Sequence, residues 1–252
     1  MARAVLTAGV AAAASLAMAL PAQAHGGGNR QDVTCDGTLG AQTVRNVVVA
    51  DGTGCVLENT NVTGTVTVGA GAALDATGVK VFKSVTATGS GRVSLTETVV
   101  VGGVTSAGVG IARFTDTVVL GSVAVSGDTS FSATGSGFAG NLSGTTVNRF
   151  DVADSYVLGT LSAVDAYSGA NFCGNWVYGN AKITNGGAAL LLGGATGCAG
   201  NEVNGDVVLK DNQAYVGIDG NTIDGDLNCT GNDPEPVIGT NTVRGDKLGQ
   251  CA

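Results

Sequence analysis

The sequence is built as a ladder of eleven units that begin at residues 42, 60, 79, 98, 117, 136, 155, 175, 201, 221 and 241. The intervals are 18 residues, then 19 five times, then 20, 26, 20 and 20. The third residue of every unit is apolar: Val44, Val62, Val81, Val100, Val119, Phe138, Val157, Val177, Val203, Ile223 and Val243. Two residues on, Gly occupies nine of the eleven units, from Gly64 to Gly245. Two further on the pattern is apolar again, from Val48 and Val66 through Leu142 and Leu161 to Leu227, with Lys247 the one polar occupant. An alternation of period two inside a repeat near 19 residues means one strand per turn of a solenoid. A second apolar pair follows about fourteen and sixteen residues into the unit, as in Leu74 and Ala76, Val93 and Leu95, Phe131 and Ala133, Phe150 and Val152. The reading is an all-β, single-domain parallel β-helix solenoid of about eleven coils of 18–20 residues (one of 26) with at least two strands per coil. At roughly 4.8 Å per coil this gives a rod about 50 Å long. One strand is expected to run from the first to the ninth residue of a unit, as in 60–68.

Residues 1–24 read as a secretory signal, with Arg3, an apolar stretch from Val5 to Leu20 and the small-residue cleavage site Ala22-Gln23-Ala24. Residues 25–41 are then an N-terminal segment or cap and 42–252 the β-helix. No other segment approaches the 18 consecutive apolar residues of a membrane span, so a secreted, extracellular protein is expected. Without Arg3 the chain has 11 basic against 20 acidic residues, a net charge of −9, which disfavours nucleic acid and anionic lipid as partners. The acidity is concentrated from Asn201 onward, where nine Asp or Glu face Lys210, Arg244 and Lys247.

Six cysteines allow 15 pairings, but the ladder narrows them. Cys35 and Cys55 are 20 apart, Cys173 and Cys198 are 25 apart across the long unit, and Cys229 and Cys251 are 22 apart. Each gap is about one turn, and neighbouring strands lie within disulfide reach. These three pairs are the expected bridges; no CxxC or His cluster argues for a metal instead.

The coil periodicity resembles that of the right-handed parallel β-helix of the pectate-lyase-like superfold over nearly the whole chain after residue 24. The Gly-Asp repeats at 201–206, 221–226 and 241–246 resemble C-terminal repeats of uncharacterised secreted actinobacterial proteins. A left-handed helix of hexapeptides would repeat its motif three times in an 18-residue coil, which this chain does not do. Bactofilin-like filaments have similar Gly-rich strands but lack export signals and cysteines.

Candidate chemistry is sparse. The one histidine, His25, follows the cleavage site; an N-terminal His resembles the copper-dependent polysaccharide monooxygenases, whose site needs a second His. The single His also removes Ser-His-Asp and Cys-His triads. Asp206, Asp226 and Asp246 occupy the same outward place in consecutive coils, with Asp224 two residues from Asp226. Such a column either stays hydrated with Arg244 against Asp224, or holds Ca2+, as β-helix lyases do with Asp-bound calcium. Asp224 and Asp226 are also the pair from which a glycosidase would be drawn, and Lys182 and Lys210 the only bases placed for a lyase. Asn175, Asn201, Asn221 and Asn241 open four consecutive units and read as a structural amide ladder.

The outward columns of the middle coils are apolar: Val99 and Val101, Val118 and Leu120, Tyr156 and Leu158, Trp176 and Tyr178. Strands apolar on both faces belong to sheets covered on both sides. The candidate covers are the segment from His25 to Ala41, a second copy, or a ligand. Trp176 stacked on Tyr156 and beside Tyr178 suits a glycan platform. Beside the stripe run two hydroxyl-rich columns, Thr65, Ser84, Ser122 and Thr160, and Thr67, Thr86, Thr105, Ser143 and Ser162, as in ice-binding solenoids. The leading functional expectation is a secreted, non-catalytic β-helix that binds extracellular partners, including glycans, or itself as a homo-oligomer. A β-helix polysaccharide lyase or hydrolase and an ice-binding protein are the alternatives.

Overall fold

The computed structural model describes residues 31–194 and 197–252, so the signal segment 1–24 and His25 lie outside the described residues. Each coil except the last, which lacks the third strand, contributes a strand to each of three parallel sheets, here faces C, A and B in chain order. Coil 2 is representative, with Asn61–Val62 on face C, Val66–Val68 on face A and Ala73–Thr77 on face B. Face A has twelve strands, and faces B and C have eleven each. Along face C, Thr43, Asn61, Lys80, Val99, Val118, Gly137, Tyr156, Trp176, Glu202, Thr222 and Thr242 follow one another in register. The strand spacing thus reproduces the sequence ladder, including the long step of the 26-residue coil.

The strand expected over 60–68 is in fact two strands, because the chain bends between faces C and A at the repeated Gly. Backbones of successive coils nearly touch there. A Cβ on Gly102 would lie 2.4 Å from the Lys83 carbonyl oxygen, and one on Gly121 would lie 2.7 Å from the Gly102 carbonyl carbon. The inward alternation continues through the bend, so Val62, Gly64, Val66 and Val68 are all buried. This is why two strands read as one. At the corner from B to C the backbone turns through the left-handed region. Asp116, at φ 49°, holds its Oδ1 where a Cβ on Gly135 in the next coil would stand, 2.4 Å away.

The core fills the triangle between the faces. Phe114, Phe131, Phe150 and Phe172 form a pillar inside face B, with ring centroids 5.2, 4.9 and 6.2 Å apart in turn. Most polar groups that enter the core do so in hydrogen-bonded columns, with the Ser106–Asp128 pair standing apart, and no buried side-chain donor or acceptor lacks a partner among the described residues. Val48 departs from expectation: it is exposed while Val47 and Val49 are buried. The first unit is one residue shorter, so Val47 rather than Val48 pairs with Val66.

Residues Val33–Cys35 and Gly37–Leu39 pair with the first full coil on faces A and B. The described part of the N-terminal segment is therefore part of the rod and does not cover face C. Cys35–Cys55, Cys173–Cys198 and Cys229–Cys251 are bonded, with Cα atoms 5.5, 4.7 and 5.2 Å apart. One bridge secures each end of the rod and one pins the long coil. Each closes a loop of 20–25 residues and should contribute about 2–4 kcal/mol. Reduction is expected to lower the melting temperature by several degrees, and hydrogen exchange should then accelerate first in coils 1, 10 and 11; uniform acceleration along the rod would contradict that order.

Candidate functional site

The three faces differ in chemistry. Face B carries charges, with Arg92 paired to Asp75 and Arg149 to Asp151 at 2.5 Å. On face A the outward residues from Thr67 to Val164 are uncharged, in two columns led by Thr67-Thr86-Thr105 and Thr88-Ala107-Ser126. Face C presents the apolar stripe.

The stripe stands bare. Val101 is 43% exposed, Leu120 51%, Leu158 55% and Tyr178 63%. Phe82, which the sequence reading passed over, extends it by one coil at 43% exposure. Its signal was present, since Phe82 is the fourth residue of its unit, in the column of Val101 and Leu120. These residues are held stiffly: the amides of Phe82, Val101, Leu120, Leu158 and Tyr178 each donate to a carbonyl of the preceding coil at 2.8–2.9 Å. The exposed side chains are thus displayed by backbone tied to the preceding coil.

The aromatic group does not form the flat platform expected. Tyr156 and Trp176 meet edge to face, with centroids 5.5 Å apart and planes at 77°, the geometry ring quadrupoles favour. Trp176 Nε1–H donates to Asn204 Oδ1 at 3.1 Å, which fixes the indole half-buried against the long coil. A shallow cleft of 360 Å3 lies beside the pair, lined by Asp154, Tyr156, Asn175, Trp176 and Glu202. Tyr178 stays outside that cleft, on the open stripe.

The C-terminal Asp column is engaged in the corner between faces C and A. Asp206 Oδ1 accepts the Asp226 N–H at 2.9 Å, and Asp226 Oδ1 accepts that of Asp246 at 2.8 Å. Asn141 and Asn180 do the same for Thr160 and Asp206. The column caps stacked backbone. Asp224 points from face C to Arg244 Nη1 at 2.8 Å. Among the described residues no three His, Cys, Asp or Glu side chains gather as a metal site. Lys210 pairs with Asp211 at 3.6 Å, and Lys182 lies on face A between Ser162 and Val208. The hydroxyl column Thr65, Ser84, Ser122 and Thr160 sits in the same corner, outside the strands, while Thr67, Thr86 and Thr105 lie on face A.

The amide ladder is present: Nδ2 of Asn175, Asn201 and Asn221 donates to Oδ1 of the next Asn at 2.8–3.0 Å. A second ladder, Asn212 to Asn232 to Gln250, runs inside the corner between A and B. Asp128 is the one carboxylate buried among the described residues, and it accepts from Ser106 Oγ at 2.5 Å and from the Val109 amide at 2.9 Å.

Compared with known proteins, the chain matches no family model, no curated protein and no solved structure. The parallel β-solenoid is observed directly, while the narrower resemblances to pectate-lyase-like helices and to actinobacterial repeats find no support there.

Burial pushes the Asp128 carboxyl above the ordinary carboxylate value of 3.8, against the hydrogen bonds from Ser106 and from the Val109 and Gly108 amides. The folded chain then holds this proton more tightly than the unfolded one. Its stabilising contribution is full below pH 3.8 and is lost as pH rises through the raised folded value. Asp32 acts oppositely. Hydrogen bonds from Arg45 hold it at about 2, so its contribution is present above 3.8 and lost as pH falls toward 2. Asp128→Asn keeps an acceptor for the Val109 N–H and removes the buried charge. The melting temperature at pH 7 is expected to rise by about 2–4 °C, equivalent to about 1 kcal/mol, with little change at pH 4; a fall at pH 7 would show that the carboxylate form is the one the core requires.

Proposed function

We propose that this protein is an extracellular, non-catalytic binding and self-association module that works through face C. The observation that carries the reading is the bare column Phe82, Val101, Leu120, Leu158 and Tyr178 on rigid backbone. A contiguous apolar surface of several hundred Å2 is near the upper limit for a soluble monomer and marks an interaction site. Three disulfides and the absence of any helix long and apolar enough to cross a membrane among the described residues suit an oxidising, extracellular setting. A glycan would sit across the cleft by Tyr156 and Trp176, with Asp154 and Glu202 as acceptors for its hydroxyls.

Leu120→Asp places a charge in the middle of the stripe while its strand partners stay inward. It is expected to weaken self-association or glycan-array binding at least tenfold with an unchanged far-UV spectrum. Binding equal to that of wild type would remove face C as the working surface.

The uncharged face A favours one second reading, ice binding, since two hydroxyl-rich on-strand columns run there, one over six coils and one over five. Thermal hysteresis that disappears in Thr105→Lys is the expected result under that reading, and freezing behaviour no different from an inert protein would dispose of it.

A further inference from the structure

Resting on the reading of face C as an association surface, we propose that its partner is a second copy of this chain, docked face to face with the rods antiparallel and the two-fold axis along the strand Gly137–Phe138. The argument begins with the order of residues on that face. Counting rungs from Gly137, Lys80 stands three before it and Glu202 three after it. Because all rungs have the same spacing, a two-fold axis parallel to the strands through Gly137 sets Lys80 of each copy opposite Glu202 of the other. Both side chains are exposed.

The same operation matches the apolar rungs. Val101, two rungs before the axis, meets Tyr178, two rungs after it, and Leu120 meets Leu158. Val101 thus faces the larger Tyr178 and Leu120 faces a residue of its own size, while Phe82 at the rim meets Asn204 beside the Lys80–Glu202 contact. At the axis itself each copy presents Gly137 and Ala139. This is the one rung of the stripe without a large side chain, and it is also the one rung that must face itself. The notch that breaks the stripe is the place where self-contact would otherwise clash. An isologous interface needs this self-complementarity.

The alternative two-fold, along the rod, sets every rung against itself. Lys80 then approaches Lys80, Glu202 approaches Glu202, and the two acidic C-terminal ends lie side by side. Like charges brought together at an interface disfavour that arrangement. From Lys80 to Glu202 the face spans about 29 Å, and five residues give it a width of about 17 Å. The two copies would bury about 1,000 Å2 in total, the lower limit for a specific interface, so the dimer is a weak one with a dissociation constant of about 1–100 µM.

Sedimentation velocity of the purified protein between 1 and 500 µM, with a glycan array in parallel, tests the proposal. Lys80→Glu and Glu202→Lys are each expected to weaken dimerisation at least tenfold, and the double variant to restore it, since every contact is complementary again. Ala139→Cys alone should give a covalent dimer with a short bis-maleimide cross-linker, since face-to-face sheets lie about 10 Å apart, beyond direct disulfide reach. Leu120→Cys should cross-link efficiently only when mixed with Leu158→Cys. A dimer that the double variant fails to restore and that Ala139→Cys fails to cross-link would overturn the register and leave self-association standing. A wild type monomeric at 500 µM that binds a glycan through Tyr156 and Trp176 would overturn the second copy as partner and leave the binding surface standing. A monomer that binds nothing would overturn both.

Discussion

The structure depends on hydrogen bonds from backbone amides to carbonyls one coil away. On face C the Val99 amide reaches Val79, in the corner Gly102 reaches Lys83, and beyond face A Gly108 reaches Ser126, at 2.7–2.8 Å. Each coil is the template for the next, so register is a property of the whole rod. An insertion is tolerated only if it leaves the wall. The long coil shows this: the extra residues lie between Leu192 and Asn201, while Trp176 still pairs with Glu202 and Ala181 with Val207. The Cys173–Cys198 bridge holds the excursion to the wall it left.

Stacking identical positions has a chemical consequence for polar groups. A residue that enters the core does so beside its counterparts, and a column must satisfy itself. From Ser136 to Asn241 the first residue of each unit accepts the backbone N–H of its counterpart in the coil before, beginning with Thr117 N–H, through Ser136 and Ser155 hydroxyls and then Asn side-chain carbonyls. An amide has two donors besides its acceptor, so Asn201 also bonds Asn221 and the Phe172 carbonyl. Asp128 stands alone among the coils before the second ladder, with Ser106 supplying the proton that an Asn neighbour supplies later.

The apolar third column and the Gly column were legible in the sequence because they repeat at every coil and each has a single physical cause. The coil-to-coil disulfides followed from the same spacing. What escaped were features that the alternation conceals. The bend at Gly64 keeps the inward parity, so three faces read as two. The missing residue of the first unit exchanges Val47 for Val48. The Asp206 column looked like exposed charge because outward parity does not reveal that one carboxylate oxygen is already bonded to the next backbone amide. Ring orientation has no sequence signal: Tyr156 and Trp176 are adjacent as their ladder positions require, and the Asn204 acceptor that turns the indole lies 28 residues away.

A solenoid keeps sequence order as spatial order, so a charge gradient along the chain becomes a gradient along the rod. Nine acidic against three basic residues from Asn201 onward make one end of this rod strongly negative. The last described strands there pair with the preceding coil, and an edge left open on their other side is the feature that invites edge-to-edge growth. Arg244 follows the last face C strand, Thr242–Val243, and Lys247 opens the last face A strand, Lys247–Gly249, with Asp246 between them, and all three charged residues are exposed. Gln250 closes the amide ladder by taking the Asn232 amides on its Oε1 and returning a bond to the Asn232 carbonyl. The opposite end is dressed alike, with Asp32 on Arg45 and Asn46 and a disulfide just inside. Both ends of the described rod thus carry charges and a disulfide, and the bare apolar column of face C lies on the flank. A two-fold contact through face C, as proposed, would close on itself, whereas head-to-tail contacts through the ends would not.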